Sequence, residues 1–198
     1  MRRVEPVIGW RLWWARGGVL RSWVADAAWQ PGTNVACCLI QGRVRLHQAP
    51  GRGCHCGFWA TRRPSTCLRL ADETWDGHPP LSRGRGVLGL VAAWGTLAVH
   101  GSEGFRAARA RPLLLFDDVV GLGTLRPMRR LYRGRAATLR RVRERSGVPV
   151  VSLAAAVRHG VLAELGVDGD AIEEAWLLTR REGPRYPAGL QGGEPARR

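Results

Sequence analysis

Apolar and polar positions alternate from the start of the chain. Trp10, Leu12 and Trp14 alternate with Arg11 and Trp13, the period of a half-buried strand. Gly17-Gly18 supplies the positive-φ pair of a two-residue turn, so residues 7–24 read as a β-hairpin with 19–24 as the return strand. Trp29-Gln30-Pro31-Gly32 marks a turn, and 35–40 is a short apolar run that fits a third strand. Residues 47–66 are rich in Gly, Pro, Arg and Cys with little periodicity, which reads as a loop; 71–86, with Pro79-Pro80, reads as another. Residues 87–100 carry a strong strand pattern, 101–104 a turn, and 105–116 a return strand that Pro112 should place at an edge or break.

The pattern changes after Asp117-Asp118. Gly121-Leu122-Gly123 reads as a linker, and 136–145 as a helix stopped at Ser146-Gly147. Ser152 is a good N-cap for a helix over 153–165, where Leu153, Val157, Val161 and Leu165 recur every fourth position. Asp170 caps a last helix over 171–181, with Glu173 and Glu174 near its positive end. The expected fold class is therefore α+β. A Trp-rich antiparallel β domain over 1–120 precedes a small basic helical module over 125–182, and the Gly/Pro/Arg-rich stretch 183–198 reads as a disordered tail.

With 198 residues, 45% of them hydrophobic and 24% charged, the chain can bury a core, and wholesale disorder is excluded. The longest apolar run, 87–99, is too short to span a bilayer and contains Gly89 and Gly95. Arg11 and Arg16 interrupt any signal-peptide core, so the expectation is a soluble cytoplasmic protein without membrane contact.

The formal charge is +15, and all 31 basic residues are arginine. GC-rich coding favours arginine, glycine, alanine and tryptophan together, but it would spread arginine evenly. Instead residues 1–71 carry a net +9 and 126–145 a net +8, while 72–125 and 146–198 carry −1 each. Two basic blocks suit a polyanion, because the guanidinium fork donates paired hydrogen bonds to phosphate. An acidic protein would be served equally well. The nine Trp fit core packing; alternatively Trp13 or Trp59 is an exposed platform on which bases stack.

The five cysteines, with His47 and His55, fall between positions 37 and 67. An odd count without a secretory signal argues against a disulfide scaffold. Cys38, His47, Cys54 and Cys56 form a candidate structural zinc set, since thiolate and imidazole suit a tetrahedral ion and a loop held this way needs little core. Cys37 or Cys67 is an alternative first ligand, and His100 could also close the site. Buried thiols with exposed histidines, an iron–sulfur centre, or a Cys54–His100 nucleophilic pair remain open alternatives at this point.

Two resemblances follow from these residues. Trp29-x-Pro31-Gly32, Ala36-Cys37-Cys38, His47-x-Ala49-Pro50, Cys54-x-Cys56-Gly57 and Gly89-x-Val91-x-x-Trp94-Gly95-x4-His100-x3-Gly104-x-Arg106-Ala107 resemble a group of uncharacterised bacterial proteins with this order of elements. That resemblance implies a domain with a Cys/His site and no particular activity. The segment from Arg130-Leu131-Tyr132 through Arg140-Arg141-Val142 to Val151-Ser152-Leu153 resembles a ribbon-helix-helix DNA-binding domain. It implies a homodimer whose paired strands enter the major groove, with Arg129, Arg130 and Tyr132 in or beside the strand and Arg140 and Arg141 on the first helix. Val151 and Ser152 would then offer amides to a phosphate. Arg129 departs from that pattern, because it falls where the strand should bury an apolar side chain. The same residues also fit an ordinary α/β ending, in which a helix leads to a strand at 148–151 and then to a packing helix.

The reading that joins these features is a nucleic-acid-binding protein, with DNA as partner and a zinc-stabilised β domain. A non-enzymatic adaptor for an acidic protein, or a metalloenzyme or redox protein using the Cys/His cluster, are the alternatives. No Gly-x4-Gly-Lys loop, His-Glu-x-x-His or Gly-x-Ser-x-Gly elbow is present, which sets aside the chemistries those motifs serve.

Overall fold

A computed structural model of the chain describes residues 5–25, 27–40, 43–44, 47–73, 85–119 and 135–180. The α+β expectation holds. β1 (Val7–Arg16) and β2 (Val19–Ser22) form the first hairpin, with Arg16 opposite Val19 and φ of 57° and 78° at Gly17 and Gly18. β2 stops at Ser22 because the chain turns there, and Trp29 N–H returns to the Leu20 carbonyl at 2.8 Å. The expected third strand is split into β3 (Asn34–Val35) and β4 (Leu39–Ile40), and β4 pairs with β5 (Arg43–Val44). Cys37 and Cys38 occupy the interruption.

β6 (Phe58–Thr61) is followed by α1 (Pro64–Glu73), a helix lying where the pattern predicted loops. Pro64 stands at its first position, which costs no hydrogen bond there. Cys67 and Ala71, one turn apart, are its buried stripe. The second hairpin, β7 (Arg85–His100) and β8 (Gly104–Phe116), is as expected. Pro112 marks a register irregularity opposite Val91, so the break it forces is a bulge rather than an end.

The strands close on themselves. β7 pairs with β1 on one side and β8 on the other; β6 pairs with β8 along its length and meets β1 at Trp10↔Thr61. Alternation along the strands then sends side chains to two layers. Trp13, Val87, Val91, Phe105, Ala107 and Leu115 share one cluster with Trp29. Trp10, Leu12, Leu88, Leu90, Leu114 and Phe116 form the other. Trp13, a candidate stacking platform, is fully buried and packs edge-on against Trp29 at 5.5 Å.

The C-terminal segment packs onto this sheet. α2 (Arg135–Ser146) buries Leu139 and Val142 in the first cluster. β9 (Val150–Val151) pairs in parallel with Leu115 and Phe116 of β8, which bridges the expected boundary near residue 120. α3 (Leu153–Arg158), α4 (Val161–Glu164) and α5 (Gly169–Arg180) cover the second cluster through Leu153, Ala156, Leu162 and Ala175. The single helix expected over 153–165 is interrupted at Gly160, where φ is 70°. The described order of helix, strand and packing helix is that of the α/β ending; the strand that a ribbon-helix-helix domain would need, around Arg130 and Tyr132, lies outside the described residues. The linker at 121–123 and the tail at 183–198 lie outside the described residues. Among the described residues no helix is long and apolar enough to cross a membrane.

Gly89 faces the Leu114 carbonyl oxygen, where a Cβ would collide with backbone. Gly89→Ala should cost about 1–3 kcal/mol in urea unfolding. Gly169→Ala, with open space within 4 Å of its Cβ, should be neutral or slightly stabilising. Burial pushes the Cys67 thiol from 9.0 up to about 12. The folded state therefore holds this proton, and the associated stability is complete below pH 9 and lost as pH rises toward 12. The stability gap between wild type and Cys67→Ala should narrow above pH 9 by at most roughly 1.4 kcal/mol per pH unit, measured by denaturation across that range.

Candidate metal centre

Two segments, both anchored on β8, deliver the Cys/His set. The first is β3, which pairs with Ala110 and Arg109; the next amide, Ala36 N–H, donates to the Ala108 carbonyl at 2.8 Å. The Asn34 side chain holds the preceding turn, accepting from Gln30 N–H at 2.8 Å and donating to the carbonyls of Gln30 and Gly32. This register carries Cys38 under the surface, 1% exposed, while Cys37 faces solvent.

The second segment runs from His47 to Gly57, directly before β6. Cys54 N–H donates to the Gly51 carbonyl at 3.4 Å, and Gly51 N–H donates to Cys56 Sγ at 3.3 Å. His47 Nδ1 donates to the Gln48 carbonyl at 3.2 Å, which leaves Nε2 free to ligate an ion. A Cβ on Gly51 would lie 2.5 Å from the His47 ring, so glycine is what lets the imidazole lie there. Gly57, at φ 114°, packs its hydrogen-only face against Arg106, Pro50 and the Ala107 carbonyl.

The result brings the four predicted residues together. One ligand atom from each of Cys38, His47, Cys54 and Cys56 lies within 4.8 Å of the others, and Cys38 Sγ is 3.5 Å from Cys54 Sγ. This arrangement can hold a metal ion. Cys67, an alternative first ligand, sits in the apolar cluster with Trp10 and Leu12. His100 is otherwise engaged: its Nε2 accepts from Arg106 Nε at 2.7 Å, and its ring stacks on Trp59 at 4.6 Å.

The thiols differ electrostatically. Hydrogen bonds from the Cys56 amide and the Cys38 thiol hold Cys54 down to about 6, against the effect of its burial. Burial, then the neighbouring Cys54 and Cys56, push Cys38 up to about 11. Cys54 is thus the thiol of the set most inclined to ionise, while Cys38 would have to give up its proton to ligate a cation.

Sequence reasoning missed the residues that hold this loop from below. Arg106, 6% exposed on β8, donates through Nη1 to the carbonyls of Cys54 and Cys56, the latter at 3.0 Å. Trp59, 39% exposed, donates from Nε1 to the His55 carbonyl at 3.0 Å, and the Arg106 guanidinium lies 5.2 Å from its ring centre. An arginine in a strand reads as a solvated position, so only the spatial arrangement reveals its role.

The other predicted residues fall elsewhere. Arg140 and Arg141 are exposed on α2, and Arg129, Arg130 and Tyr132 lie outside the described residues. Ser152 caps α3, accepting from Ala155 N–H at 3.2 Å, and its hydroxyl donates to Asp118 at 2.6 Å. The Asp118 carboxylate also accepts from the amides of Leu153 and Ala154 at 2.6 and 3.2 Å. A carboxylate of the same chain thus fills the position expected to receive a phosphate.

No family model, curated protein or solved structure matches this chain, so its reading rests on its own residues.

Gly51→Ala should weaken metal binding about 10-fold or more by displacing the His47 ring, although residue 51 is not itself a ligand. Competition with a chromogenic chelator measures it; Arg52→Ala, at an exposed neighbour, should bind as wild type does.

Proposed function

We propose that this chain is a nucleic-acid-binding protein whose β domain is stabilised by a structural zinc ion. Three thiols and one imidazole form the Cys₃His donor set that zinc favours. Four protein ligands leave no open position for a substrate, which favours a structural over a catalytic ion.

The observation that carries the nucleic-acid reading is α2. Leu139 and Val142 fasten it to the sheet, and Arg140, Arg141, Arg143 and Arg145 face solvent around it with Glu144 as the one acid on the helix. Arg145 also donates to the Gly17 carbonyl at 3.0 Å, which fixes the helix against the first hairpin turn. Among the described residues no carboxylate pairs with these arginines. A helix fixed to the sheet with exposed guanidinium groups at Arg140, Arg141 and Arg143 suits phosphates of duplex DNA. A homodimer is the assembly in which two such helices would meet two turns of one duplex.

Anisotropy of a labelled duplex over a salt series tests this. Log affinity should fall linearly with log salt, and Arg140→Ala/Arg141→Ala should weaken binding and reduce the slope by roughly two units. Identical binding by that variant would overturn the reading. Indifference to DNA combined with binding to polyglutamate would transfer it to an adaptor for an acidic protein. Elemental analysis should find one zinc per chain, lost in Cys54→Ser/Cys56→Ser.

A further inference from the structure

Arg106 is a buried charge without a buried counter-charge of the usual kind. Its partners are the carbonyls of Cys54 and Cys56, the His100 ring nitrogen and the Trp59 ring, and among the described residues no carboxylate pairs with it. Removing a cation from water without an anion is costly. Carbonyl dipoles recover part of that cost. The rest calls for negative charge close by.

We infer that Arg106 is the positioning residue and counter-ion of the metal–thiolate centre. This inference rests on the Cys/His set binding a metal. A divalent ion with three thiolates and one neutral imidazole carries one net negative charge, and the guanidinium supplies one positive charge beside it. Its bonds go to the backbone of two ligand residues, Cys54 and Cys56, so it orients the sulfurs without touching them. The indole of Trp59 takes the carbonyl of the residue between, and His100 steadies the guanidinium from the other edge. Three successive carbonyls of the ligand loop are therefore held by β6 and β8, and the loop is shaped before any ion arrives. Outer-shell groups of this kind change metal affinity by 10–100-fold.

The test uses the full chain and cobalt(II), whose thiolate charge-transfer and ligand-field bands report number and geometry of ligands. Wild type should bind one cobalt with a tetrahedral thiolate spectrum. Arg106→Gln should bind 10–100-fold more weakly with altered bands, and Arg106→Lys, which keeps charge but loses the fork, should fall between. Arg109→Gln, an exposed arginine of the same strand, should match wild type. Circular dichroism establishes that each variant is folded. Wild-type affinity and spectrum in folded Arg106→Gln would overturn the inference and leave the metal site standing. No cobalt binding by wild type would overturn the metal site itself. Should Arg106→Gln not fold, Arg106→Lys decides: several-fold weaker binding supports the role, and unchanged binding overturns it.

Discussion

Closure of the sheet through β6 is the constraint on which the rest depends. Four residues must pair with β8 and still reach β1, where Thr61 stands opposite Trp10. Strands meet this closely only where side chains are absent. A Cβ on Gly9 would lie 2.8 Å from the Ala60 Cβ, and one on Gly104 would strike the Ala60 carbonyl. Register irregularities at Gly95 of β7 and beside Pro112 of β8 interrupt the two long strands. The ligand loop runs straight into β6, so the same closure that seals the core also sets where Cys54 and Cys56 can stand.

The ring has consequences for charge. Arg11 lies inward, its guanidinium 4.8 Å from the Trp29 ring and bonded to the Trp59 carbonyl and Ser22 hydroxyl. Arg106 lies on the other face of the sheet, between Phe105 and Ala107 in sequence and opposite Trp59, and bonds the Cys54–Cys56 loop. Two arginines of a strongly basic chain are thus structural, held by aromatic faces and carbonyls rather than by acids. On the opposite layer, Arg63 joins α1 to α5 through Glu174 and Asp170 at 2.7 and 2.8 Å. Of the arginines on α2, Arg145 is also structural through the Gly17 carbonyl, whereas Arg140, Arg141 and Arg143 are exposed.

Local chemistry was legible and long-range geometry was not. Gly17-Gly18 announced the first hairpin, because that turn needs two positive-φ residues, and 87–116 announced the second by length and apolarity. The set Cys38, His47, Cys54 and Cys56 was readable from residue type and spacing. α1 escaped notice because half its turns are polar and its start abuts a Gly/Cys-rich stretch. The roles of Arg106 and Asp118 were invisible because the backbone carbonyls and amides they bond lie 35 or more residues away. The same distance hid ring closure, which depends on one residue pair, Trp10 and Thr61. The parallel pairing of Val150–Val151 with β8 was not legible either, because its partners lie 35 residues earlier.

That pairing carries a consequence for the order of assembly. Leu115 N–H donates to the Pro149 carbonyl and Asp117 N–H to the Val151 carbonyl, each at 3.0 Å. During synthesis the barrel strands leave the ribosome well before residues 149–151 do. Until then the end of β8 has its backbone unpaired on one side and Leu114 and Phe116 uncovered, a sticky margin that other chains can join. The nascent protein therefore reaches its protected form only after its last third has emerged, however early its first hairpin forms.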